Sequence, residues 1–274
     1  MKYALLAPAV VLCMVFTLWP LVEVVRLSLV RTNFITTQWV GLSNYVQILK
    51  DAAFLRSVAN SGLYVVLLIG FTVIGAVTIA LTALWLPKLW HDAARFVFYI
   101  PALSAGIIIA GVWRWIFHLH GPINWLLGLV GIPAVSWFAA WWTGIPVVAL
   151  VVSMTGMGGG VIILLAAILS INRELFDAAR IDGATSMQIK FRIVLPMIMP
   201  TVWLLILMAA IAAPQIFETI YALAPYDYTA TMAFFIYRQA FQMSRYGMAS
   251  AQAMVLLVLT VGLVWAKQRI TREA

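Results

Sequence analysis

Six stretches of this chain are predominantly apolar: residues 3–29, 62–86, 96–117, 143–169, 197–223 and 246–267. Each exceeds about 20 residues, enough to cross a hydrocarbon layer as a helix. Inside lipid no water satisfies backbone N–H and C=O groups, so only helices and closed barrels can span it. A barrel strand would alternate apolar with polar residues, and these runs do not. With 65% hydrophobic and 9% charged residues in 274, an ordinary soluble domain is excluded. The sequence predicts an all-α polytopic membrane protein of six transmembrane helices, forming a single transmembrane domain over 1–274.

The charge pattern orients it. A net charge of +8 would suggest nucleic acid for a soluble chain, but no basic patch with interleaved aromatics supports that. Here the cations read as membrane anchors near anionic lipid. With the N-terminus inside, ten of the 17 Lys and Arg residues fall in cytosolic segments and seven elsewhere. The bias favours N-in, C-in. The single Cys13 excludes an internal disulfide and lies in the first apolar run, which reads as a retained helix rather than a cleaved leader.

Between the fourth and fifth runs lies a polar island, residues 171–196, carrying Arg173, Glu174, Asp177, Arg180, Asp182, Lys190 and Arg192. Its residues predict two short helices around a sharp bend. Asn172 is a good N-cap, and Glu174 sits in the first turn, where the helix dipole favours an anion. Ile171 and Phe176 occupy the positions of a hydrophobic staple. Asp182-Gly183 supplies the stop, because glycine accepts the left-handed conformation. Thr185-Ser-Met-Gln188 reads as a capping box opening a second helix. Pro196 and Pro200 allow a break or kink before the next run. Ala178 and Ala179 make one face small enough for another surface to approach closely. A well-capped surface loop and a docking element both satisfy this pattern.

Asp177-Ala-Ala-Arg-Ile-Asp-Gly-Ala184, followed by Ile193-Val-Leu-Pro196 and Pro200, resembles the "EAA" loop of permease subunits in bacterial ATP-binding-cassette (ABC) importers. Trp39-Val-Gly-Leu-Ser-Asn-Tyr45, Tyr99-Ile-Pro101, Val112-Trp-Arg-Trp-Ile-Phe117, Gly121-Pro-Ile-Asn124, Phe217-Glu-Thr-Ile-Tyr221 and Ile236-Tyr237 extend the resemblance over nearly the whole chain. They point to the carbohydrate, binding-protein-dependent type, similar to the MalF-like permease without its large external domain. There are departures: Asp177 replaces the usual Glu, Asn172 a common proline, and Ala224-Pro-Tyr-Asp-Tyr-Thr229 the usual Gly-Gly-Pro. The resemblance implies a coupling helix that inserts into a cytosolic ATPase, with Glu174, Asp177, Ala178, Ala179, Asp182, Gly183 and Ala184 as coupling residues. It implies a second homologous permease, two ABC ATPase subunits and an extracytoplasmic solute-binding protein as partners. ATP and Mg would be held by the ATPases, with no cofactor on this chain. The location implied is a prokaryotic inner membrane.

The residues themselves supply no catalytic centre. There is no Gly-x-x-x-x-Gly-Lys-Ser/Thr loop, no His-Glu-x-x-His and no supported Ser/His/Asp arrangement. His118 and His120, two apart, would point to different faces of a helix. Polar groups inside spans usually face a bundle interior or a watery cavity. Gln215 and Glu218 are three apart, sharing one helix face just past Pro214, and are candidates for bonding solute hydroxyls. Helix–helix bonding explains them as well. Ser153, Thr155 and Gly156 form a small polar patch in the fourth run, open to the same two readings. Glu23 and Arg26 read as an ion pair. The tryptophans at 113, 115, 125, 137, 141 and 142 read as an interfacial belt, with sugar stacking as the alternative. The function expected is import of a sugar or similar polyhydroxylated solute. A secondary transporter or channel subunit, a non-transporting membrane anchor or assembly factor, or an ABC permease for another solute class are the rivals.

Overall fold

The computed structural model describes residues 6–32, 35–83 and 106–273. The loop at 87–95, Tyr99-Ile-Pro101 and the start of the third apolar run lie outside the described residues. In chain order the elements are α1 (Ala7–Ser28), the strands β1 (Val30–Thr32) and β2 (Thr37–Trp39), α2 (Ser43–Lys50), α3 (Ala52–Ala83), α4 (Gly106–Ile116), α5 (Pro122–Leu129), α6 (Trp141–Leu169), α7 (Arg173–Ile181), α8 (Ser186–Gln215), α9 (Glu218–Leu223), α10 (Met232–Tyr237) and α11 (Tyr246–Glu273). Among the described residues α1, α3, α6, α8 and α11 are long and apolar enough to cross a membrane, and α4 is a shorter apolar helix within the third run.

Three boundaries differ from the sequence reading. The short helix Ser43–Lys50 stops at Asp51, and α3 starts at Ala52, ten residues earlier than the apolar run at 62. Asp51 causes this: its Oδ1 accepts the amides of Ala53 (2.9 Å) and Phe54 (3.3 Å), capping α3. Pro196 and Pro200 allow a break or kink, and no break occurs at either, because α8 runs unbroken from Ser186. A widened turn over Ile189–Val194 immediately precedes Pro196, relieving the fit of a ring that offers no N–H. The continuous helix expected to 223 instead stops at Gln215, and α9 begins afresh at Glu218.

The chain forms two compact units. The first comprises Met1–Ala59 and Ala230–Ala274. Here α11 packs along α1 and over α2. Its core joins Ile48, Phe54, Met232, Phe235 and Ala251. The β-hairpin pairs Val30 with Trp39 and Arg31 with Gln38. The Trp39–Tyr45 motif has a visible job. Asn44, almost wholly buried, donates through Nδ2 to the carbonyls of Ser28 (2.8 Å) and Val30 (2.9 Å), satisfying the chain where α1 ends. Tyr45 Oη donates to Ser28 Oγ at 2.8 Å. Glu23 and Arg26 form the expected ion pair, with Arg26 Nε 2.8 Å from Glu23 Oε2.

The second unit is Asn60–Thr229. Its centre is α6 against α3 and α8. Small residues set the distance. A Cβ on Gly75 would stand 2.6 Å from Met157 Cε, and one on Gly160 would stand 3.2 Å from Ala76 Cβ. The glycine-rich run in α6 thus makes a close helix seam. Asn124 explains the Gly121–Asn124 motif: its Nδ2 donates to the carbonyls of His118 and Val135, and its Oδ1 accepts from Val135 N and Trp137 Nε1. Gly121 is obligatory there, since a Cβ would lie 2.4 Å from the Trp115 carbonyl. Because α4 ends at Ile116, His118 and His120 lie in this turn, not on a helix, with ring centroids 6.0 Å apart.

Candidate functional site

The polar island of residues 171–196 folds from local chemistry. Asn172 caps α7: its Oδ1 accepts the Glu174 amide at 3.1 Å, and its Nδ2 donates to the Glu174 carboxylate at 3.0 Å. Arg180 Nη1 donates to Asp177 Oδ1 at 3.1 Å, an exposed pair one turn apart. The helix closes by a Schellman arrangement. The Ala184 amide reaches the Ala179 carbonyl (2.9 Å), and the Gly183 amide reaches that of Arg180 (3.1 Å). Gly183 carries φ +76° with nothing near its missing side chain. It is therefore needed for its conformation alone. Thr185 and Gln188 then form the reciprocal capping box that opens α8.

Two features follow from this geometry. First, the second short helix of the island is not a separate piece: it is the leading end of the 30-residue α8. A push at Thr185 acts on a span-length helix. Second, the island's outward side carries apolar groups. Leu175 is 44%, Met187 63% and Ile181 87% exposed. Ala178 and Asp182 are exposed as well, whereas Ala179 is buried and Ala184 half-buried at the Schellman closure. Sequence reasoning chose the charged and small residues and passed over Leu175, Ile181 and Met187. The available signal was large apolar side chains in a segment too polar to be a span.

The pathway candidates all lie in the second unit. Gln215 and Glu218 are both exposed, but the bend at Ile216–Phe217 separates them, so they do not share a helix face. Gln215 Nε2 donates back to the Ile211 carbonyl at 3.0 Å. The carboxylate of Glu218 occupies the room left by Gly106, with Oε2 3.0 Å from where a Cβ would be. In α6, Ser153 is buried and its Oγ has no hydrogen-bond partner among the described residues. Thr155 Oγ1 donates to the Val152 carbonyl at 2.7 Å, and Gly156 faces Thr72 across the α3 seam. Arg114 Nη1 donates to the Ala222 carbonyl at 3.1 Å, tying α4 to α9.

The departure at Ala224–Thr229 is a fastened cap. Tyr226 and Tyr228 stack with centroids 5.1 Å apart. Tyr228 Oη donates to the Phe138 carbonyl. Asn60 donates to the Tyr228 carbonyl and the buried Tyr64 to that of Thr229, each at 3.1 Å. Burial first, and then the neighbouring Tyr226, raise the Tyr228 pKa. The tryptophans divide into two groups: 115, 125, 141 and 142 are exposed, as a belt requires, whereas Trp113 and Trp137 pack around Phe117. Among the described residues no three His, Cys, Asp or Glu side chains gather as a metal site would need.

Comparison with known proteins agrees with this geometry. Residues 75–270 match the family described as "Binding-protein-dependent transport system inner membrane component". The chain is 30% identical to the "Probable ABC transporter permease protein YesP" of Bacillus subtilis, over 96% of this chain and 87% of the relative. It is 25% identical to the lactose transport system permease protein LacF of Rhizobium radiobacter, over 97% and 92%. Among solved structures, it superposes on a chain of a bacterial ABC transporter involved in import of the acidic polysaccharide alginate. The TM-score is 0.86 at 26% identity, covering 99% of this chain and 95% of that one.

Proposed function

This chain belongs to the binding-protein-dependent transport system inner membrane components, the permease subunits of ABC importers, and on that premise we propose how it works. It is a multi-pass membrane permease of the sugar-importing class. Its solute is a sugar or oligosaccharide handed over by an extracytoplasmic binding protein. Relatives named for lactose, arabinooligosaccharide and alpha-glucoside transport support that class. So does a structural neighbour captured with a periplasmic protein holding an alginate pentasaccharide. The proposal completes the bundle with six spans, N-in and C-in, paired with a second homologous permease. Two cytosolic ATPases hold ATP and Mg, and hydrolysis belongs to them.

One observation carries the coupling role: a rigidly capped helix with outward apolar groups is joined, through Gly183, to the leading end of α8. Glu174, Asp177, Ala178, Ala179, Asp182, Gly183 and Ala184 shape it, and Leu175, Ile181 and Met187 supply its apolar contacts. Closure of the ATPases moves α7, and α8 carries the movement into the membrane. The contact must differ in free energy between the two states, because equal contact shifts no equilibrium. Gln215 and Glu218, both exposed, are the proposed solute contacts. Ser153, Thr155 and Gly156 line the seam along which α6 shifts.

The test is reconstitution of the purified complex in lipid, with ATP hydrolysis measured against binding proteins loaded with different sugars. The expected result is stimulation by one loaded binding protein, lost in Gly183→Val. Solute movement driven by an ion gradient, with no ATPase co-purifying, would replace this reading with a secondary carrier.

A further inference from the structure

A cavity of about 580 Å³ lies in the first unit, where α1 ends and α11 begins. None of the coupling or pathway residues named above lines it. Its lining includes Arg31, Thr32, Asn44, Gln47, Ser244 and Arg245. Two cations thus meet around one hollow whose lining contains no carboxylate among the described residues. Both arginines are exposed, and neither makes an ion pair among the described residues. The fold holds them together. Gly247 lets the Val30 carbonyl come so close that a Cβ would lie 1.9 Å from it. This clamps β1, which carries Arg31, onto the first turn of α11, just after Arg245. Ser244, at φ +54°, turns the chain into that helix.

The surroundings place the hollow at a lipid headgroup. It sits at the ends of two apolar span-length helices, and α1 buries none of its apolar window within this chain. The hairpin and turn beside it expose Ile35 (89%), Trp39 (70%) and Leu42 (67%). Apolar and tryptophan side chains exposed next to arginines mark the membrane–water interface. Guanidinium forks match phosphate oxygens, and the amide end of a long helix adds partial positive charge. We propose that the cavity framed by Arg31 and Arg245 binds a phosphate group, supplied by an anionic phospholipid of the leaflet at which α1 ends. The lipid pins the hairpin and the start of α11 at a fixed depth. A protein carboxylate would satisfy the charge but not the apolar rim.

The experiment uses the whole purified complex in nanodiscs of phosphatidylcholine, with and without phosphatidylglycerol. Lipid retention is read by native mass spectrometry and thermal stability by unfolding. Phosphatidylglycerol is expected to be retained and to raise Tm. Each of Arg31→Gln and Arg245→Gln is expected to weaken retention about fivefold, the scale of one basic group at an anionic surface. Arg→Lys is expected to restore part of it. Equal Tm of wild type and variants in phosphatidylcholine alone separates lost binding from lost folding. Inorganic phosphate should give no rise if the lipid is the source; an equal rise identifies free phosphate as the occupant of the same site. Retention unchanged in the double variant overturns the proposal. So does unchanged retention with weakened affinity for the loaded binding protein, which would assign the cavity to an acidic protein surface.

Discussion

The second unit uses glycine twice, for opposite reasons. In the α6 seam Gly160 is needed because of its neighbours: a Cβ would press on Ala76 at 3.2 Å, with Leu205 behind it. In the island a Cβ on Gly183 would meet nothing within 4 Å among the described residues, and the glycine is needed for φ +76°. One glycine serves contact within the chain; the other serves shape, and leaves its surroundings open. The difference separates holding a membrane bundle together from presenting a surface to something else. The seam consumes its surface inside the unit, whereas the island keeps Leu175, Ile181 and Met187 in the open although each would gain by burial.

Substitutions can break this contrast. The largest loss of stability is expected from Gly160→Leu, where added bulk presses first on Ala76 and Leu205. Overpacking of this kind costs about 1–3 kcal/mol, so the yield and Tm of the purified complex should fall together. Gly183→Val follows, at about 1–2 kcal/mol of backbone strain. Here the complex should assemble while solute-stimulated hydrolysis is lost. Gly183→Asn sharpens the point, because asparagine tolerates the left-handed region and should retain coupling; at Gly160 the same residue should not be tolerated. If both asparagine variants behave alike, the contrast between contact and shape fails. Asn172→Ala removes the cap of α7 at about 1 kcal/mol, and protease cleavage within 171–184 should accelerate with little change in Tm. The smallest effect is expected from Arg180→Gln: its pair with Asp177 is exposed on both sides, and such pairs contribute about 0–1 kcal/mol. Hydrolysis should stay near the wild-type rate.

What the sequence made legible was local. Asn172, Thr185 with Gln188, and Gly183 each act through bonds to residues within a few positions, and each took its expected role. Five of the six apolar runs were legible as helices long enough to cross a membrane among the described residues, since length and hydropathy suffice. Span ends were harder. Hydropathy continues unbroken through Pro214, Ile216 and Phe217, so composition conceals the bend that parts Gln215 from Glu218. Asp51 was a visible cap signal, but the polar residues after it hid that α3 starts there. At Pro196 the opposite happened: the breaker was visible, and the widened turn that accommodates it was not. Tertiary bonds were beyond reach. Nothing near Tyr64 in the sequence announces the Thr229 carbonyl it bonds, nor does Asn44 announce that it closes α1. The outward apolar residues of the island were missed because apolar residues are ordinarily assigned inward. Only exposure identifies those that are not.

The central claim, that the island touches an ATPase and moves with it, is tested most directly at Ile181. In a Cys13→Ser background, which removes the chain's single native cysteine, Ile181→Cys gives one thiol at the more exposed of the two exposed large apolar positions of α7. A maleimide–benzophenone reagent is attached to this thiol in the assembled complex and photolysed, so that its ketone inserts into a C–H bond of whatever surface lies against it, with and without ATP and a loaded binding protein. The account predicts an adduct between this chain and the co-purifying ATPase, with a yield that changes between the two nucleotide states. A complex that hydrolyses ATP in response to its binding protein, yet gives no ATPase adduct in either state, would contradict it.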